Sequence, residues 1–65
     1  MTLLDIVSKI RHDERVTVVG DEVLVDCLDV AKLRASNYFK KELATKEVIG
    51  IGVGLFGELS ISIKE

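Results

Sequence analysis

Sixty-five residues make one small domain, spanning 1–65. Lys plus Arg total 9 against 11 Asp plus Glu, a formal net charge of −2, with 48% apolar residues and no proline. That balance excludes a disordered acidic tail, a collagen-like chain and a disulfide-stapled toxin.

A chain this short buries only ~60% of the surface its unfolded form exposes. Its core rarely supplies more than ~3–5 kcal/mol of net stability. One cysteine (Cys27) and one histidine (His12) allow neither an internal disulfide nor a zinc site. The usual staples of a mini-protein are missing, so either the packing is unusually good or a partner chain completes it, and a second copy is the simplest partner. No apolar run reaches the ~20 residues of a membrane-spanning helix. The first residues carry Asp5 within an apolar stretch and do not read as a signal peptide. With the free thiol, this gives the expectation of a cytoplasmic protein that binds no membrane.

Thr2 followed by Asp5 is a near match to a capping box. Leu3, Ile6, Val7 and Ile10 recur at three- and four-residue spacing, which predicts a helix over 2–12. Lys9, Arg11 and His12 cluster at its expected C-terminal end, where the macrodipole favours cations.

The stretch 15–27 predicts a hairpin with a two-residue turn at Gly20-Asp21, Gly20 supplying a positive φ. Val18 then faces Val23 and Val16 faces Val25 on one side, with Cys27 on that same side as a buried, small apolar residue. Thr17 faces Leu24 and Arg15 faces Asp26 on the other.

Asp26 or Asp29 is the expected cap of a second helix running to about Ala44. Leu28, Ala31, Ala35, Tyr38 and Phe39 form its expected inward stripe. Val30, Leu33, Arg34, Asn37, Lys40 and Lys41 fall on the expected outer face.

The stretch 47–63 predicts a second hairpin with a three-residue loop, Leu55-Phe56-Gly57, Gly57 taking the left-handed position. Val53 then pairs with Leu59, Ile51 with Ile61 and Ile49 with Ile63. The opposite face sets Gly50, Gly52 and Gly54 against Ser62, Ser60 and Glu58. The order α-β-β-α-β-β implies an α+β fold: a four-stranded antiparallel sheet of two hairpins with two helices packed on one face.

No motif here carries chemistry. The run 52–57 matches G-x-G-x-x-G, but a dinucleotide fingerprint opens a helix, and here a strand follows. His12, Asp13 and Glu14 are adjacent in sequence and diverge at a helix end. Cys27 has no orienting third group. No catalytic, metal or cofactor residue is therefore expected, and no small-molecule substrate.

The sequence points instead to a non-catalytic interaction module, an adaptor, inhibitor or subunit that also self-associates. The expected partner surfaces are the outer helix face (Val30, Leu33, Arg34, Asn37, Lys40, Lys41), the Gly/Ser face (Gly50, Gly52, Ser60, Ser62) and the hairpin tip (Leu55, Phe56). A nucleic-acid partner is the alternative, because Lys32, Arg34, Lys40 and Lys41 outnumber Asp29 and Glu42 on the second helix.

Overall fold

The computed structural model describes residues 1–65. Helix α1 spans Leu3–Val7 and opens on the expected capping box. The Asp5 amide donates to the Thr2 hydroxyl at 3.3 Å, and the Thr2 amide donates to the Asp5 carboxylate at 3.1 Å. The helix is shorter than the apolar spacing implies. The Ser8 hydroxyl donates to the Leu4 carbonyl at 2.6 Å, and the next two amides bond only three residues back. The turn tightens and unwinds there. Ile10 still packs against the core, but Lys9, Arg11 and His12 lie beyond the helix and complement no dipole.

Strands β1 (Arg15–Val19) and β2 (Val23–Asp29) form the first hairpin, with a different register from the expected one. Val19 faces Val23, Val18 faces Val25, Val16 faces Leu28 and Arg15 faces Asp29. The loop is therefore Gly20-Asp21-Glu22, and two irregularities interrupt the ladder. One of them absorbs Cys27, whose φ of 49° lies in the left-handed region. The Thr17 hydroxyl accepts the Cys27 amide proton at 3.0 Å, so the displaced donor is satisfied. Cys27 itself is only half-buried. Gly20 does not take a positive φ. Its lack of a side chain instead admits Glu65, whose carboxylate accepts the Asp21 amide at 2.6 Å.

The single long second helix is replaced by two shorter pieces. Helix α2 spans Val30–Ala35, capped by Asp29, whose carboxylate accepts the Lys32 amide at 3.3 Å. Ser36 then turns extended, with ψ of 133°, and its hydroxyl accepts the Phe39 amide at 3.3 Å. The chain continues helically into a π segment, Phe39–Leu43, closed by the Ala44 amide on the Phe39 carbonyl.

Strands β3 (Val48–Val53) and β4 (Leu59–Ile63) form the second hairpin largely as the sequence predicts. Val53 faces Leu59, Ile51 faces Ile61, Gly52 faces Ser60 and Gly50 faces Ser62. Gly57 takes φ of 80° in the three-residue loop. The departure lies at the far end, where Val48 rather than Ile49 faces Ile63.

The sheet order is β2-β1-β4-β3, and β1 runs parallel to β4. The sheet is thus mixed rather than wholly antiparallel, and three helical segments rather than two accompany it. The reason is the connection from β2 to β3. These strands lie at opposite edges, and the chain between them crosses over the two central strands. The core forms where that crossover and α1 meet the middle of the sheet. It joins Leu3, Val7, Val30, Leu33, Phe39 and Leu43 to Val16, Val18, Ile61 and Ile63. Neither β2 nor β3 contributes a fully buried residue.

A candidate interaction surface on an uncovered edge strand

Because the crossover covers the centre of the sheet, β3 is left bare. Ile51 and Val53 stand on the same side as Leu59 and Ile61, which lead into the core. Yet Ile51 is 55% exposed and Val53 78%, since no helix reaches over them. Ile49 is 65% exposed, and the hairpin tip continues the run with Leu55 at 98% and Phe56 at 81%. From Val48 to Gly57 no residue carries a charge. An apolar run on a strand edge of this kind marks a contact surface.

The backbone of β3 is equally available. The Gly54 amide donates to the Glu58 carbonyl at 2.8 Å. In an antiparallel ladder this orientation alternates, so Gly50, Gly52 and Gly54 turn their polar groups toward β4. Ile51 and Val53 turn theirs outward. Only the start of the strand is occupied on that side. Thr2 bridges Glu47, and the Val48 amide donates to the Met1 carbonyl at 2.8 Å. The irregularity at Ile49 breaks the alternation, so the free stretch is 51–53.

The opposite edge is defended. β2 carries Asp26 and Asp29 and is bent by the irregularity at Cys27. Charge and bulges are the ordinary means by which natural strands avoid edge pairing.

The residues predicted as partner contacts divide into three groups. Leu55 and Phe56 are exposed at the tip, and Gly50, Gly52, Ser60 and Ser62 share the helix-free face in the expected register. Val30 and Leu33 are not on an outer face. They are 0% and 1% exposed and belong to the core, while Ala31, Ala35 and Tyr38, the expected inward residues, are exposed. The interruption at Ser36 also divides Arg34 from Asn37, Lys40 and Lys41, so these six residues do not form one helical face. Sequence reasoning set Ile49, Ile51 and Val53 on the apolar face of the hairpin and did not name them as a surface. The missing signal is the extent of helical cover, which a strand's own alternation does not contain.

Arg11 and Asp13 form an exposed ion pair at 3.2 Å, and the exposed His12 and Glu14 side chains make no hydrogen bond. An open cleft of about 410 Å³ lies between Glu14, Arg15, Cys27, Phe56 and Glu58. Glu58 is 7% exposed and its side chain lies over Gly54. No group of three or more His, Cys, Asp or Glu side chains is arranged to hold a metal ion. No helix is long and apolar enough to cross a membrane. The Asp5 carboxyl alone departs clearly from its ordinary acidity, held low by the Thr2 amide and hydroxyl of the capping box. No family model, curated protein or solved structure matches the chain.

Proposed function

We propose that this chain is a non-catalytic protein-binding module that engages its partner through β3 and the tip of the β3–β4 hairpin. One observation carries the reading: five exposed apolar side chains, Ile49, Ile51, Val53, Leu55 and Phe56, follow one another along an uncharged strand with a free outer edge and its turn. Large apolar side chains at an exposed tip are the usual anchors of an interface. The strand supplies backbone groups that a partner strand or loop can bond.

The test is purification of the tagged chain from its own cells, with nuclease treatment, beside a Leu55→Ser/Phe56→Ser variant. Both side chains are exposed, so the variant retains the fold, which circular dichroism verifies. The wild type is expected to retain a protein and the variant to lose it. Retention of the same protein by both would overturn the role of the tip. A companion released by nuclease would favour a nucleic-acid partner instead.

A further inference from the structure

We infer that the occupant of the free β3 edge is a second copy of this chain, paired antiparallel through residues 51–53 to make one continuous eight-stranded sheet. The inference rests on the reading of β3 as an interaction surface and names its partner.

Three features select a second copy. The first is symmetry. Met1 and Thr2 occupy the edge at Glu47 and Val48, and the irregularity at Ile49 leaves the outward groups of Ile51 and Val53, which centre on Gly52. A two-fold axis there sets Ile51 against Val53 of the second copy and Gly52 against its own counterpart. Branched side chains thus meet branched ones on the helix side of the sheet, and glycine meets glycine on the other. The outward amides and carbonyls of Ile51 and Val53 are the ones this register requires.

The second feature is charge. Self-pairing of a strand that carries charge tends to bring like charges together. This strand carries none from Val48 to Gly57, so a two-fold contact incurs no repulsion. The third is the contrast between edges. Pairing of β3 with β2 of another copy would be heterologous and would propagate without closing. Asp26, Asp29 and the bend at Cys27 obstruct that mode, which leaves the closed β3–β3 pair. The two hairpin tips flank the paired strands and extend the contact beyond them.

The experiment measures mass by light scattering across a wide concentration range, with amide exchange by NMR. It compares the wild type with Ile51→Pro and Val53→Lys. Proline is tolerated on an edge strand where its missing N–H faces solvent, and it removes a donor that the pairing needs. Lysine at an edge blocks pairing by charge and leaves the fold intact. The expected wild-type mass is twice 7.2 kDa, with both variants at 7.2 kDa. The Ile51 and Val53 amides should exchange at least ~10-fold more slowly in the wild type than in Val53→Lys, which decides the matter should Ile51→Pro not fold. A wild type that stays at 7.2 kDa up to millimolar concentration would overturn the second copy as occupant. The binding-module reading would then stand or fall on the purification experiment alone. A dimer that survives both substitutions would place the self-contact elsewhere and overturn the inference equally.

Discussion

At the scale of single residues, Thr2 and Asp5 show a local pattern translating directly into structure. The two side chains bond each other's amides across one turn. The Asp5 carboxyl is held below its ordinary value, first by the Thr2 amide and then by the Thr2 hydroxyl. The folded state thus favours the ionised form more than the unfolded chain does. The stabilisation is present in full above the unfolded value, and it fades as pH falls through the lowered folded value. In urea titrations, Asp5→Ala is therefore expected to lower the midpoint at neutral pH, with the gap to the wild type closing in strong acid. A gap of constant width would assign the effect to helix propensity rather than to the carboxylate. Val30 and Leu33 show the opposite case. Their sequence neighbours are cations, and on a long regular helix they fall on the outside. In the fold they are core residues, because the helix that was to carry them outward ends at Ala35.

At the scale of elements, legibility depends on whether the determinants are local. The second hairpin is readable because Gly57 and the alternation on both arms specify the same loop. The first is readable as a hairpin but not in register. Its ladder shifts in steps, at the three-residue loop, between Val18 and Val19, and at Cys27, whose amide bonds the Thr17 hydroxyl ten residues back. The break in the second helix does have a local signal, Ser36 three residues before an apolar Phe39, outweighed by the longer apolar stripe on either side. The Ser36 hydroxyl is the cap of the segment that holds Phe39 and Leu43 in the core. Ser36→Ala is expected to cost about 1 kcal/mol in chemical denaturation, with Ser36→Asp recovering most of it. Equal losses in both variants would mean that the hydroxyl is not acting as a cap.

At the scale of the whole molecule, neither hairpin contains the information that joins it to the other. The pairing of β1 with β4, and with it the mixed sheet, follows from the path of the chain over the sheet. The bareness of β3 follows from the same path, which is why the candidate surface is invisible in the strand's own residues. The glycines of β3 looked like the notable feature of that segment, and they lie on the expected face. The apolar partners between them acquire their interest only once the helices are seen to stop short of them.

The parallel seam between β1 and β4 has a consequence in time as well as in space. Each hairpin closes across a loop of a few residues, an event of ~1–10 μs. The seam joins Val16 to Leu59, about forty residues apart along the chain. A pairing so distant gains nothing until most of the chain has been ordered, and it raises the contact order of a molecule that is otherwise local. Refolding in stopped-flow mixing is accordingly expected in the millisecond range, well behind helical proteins of this length. Microsecond refolding would mean that the seam is not what limits the rate. The strands at the centre of the finished sheet are thus the ones whose meeting the rest of the chain must wait for.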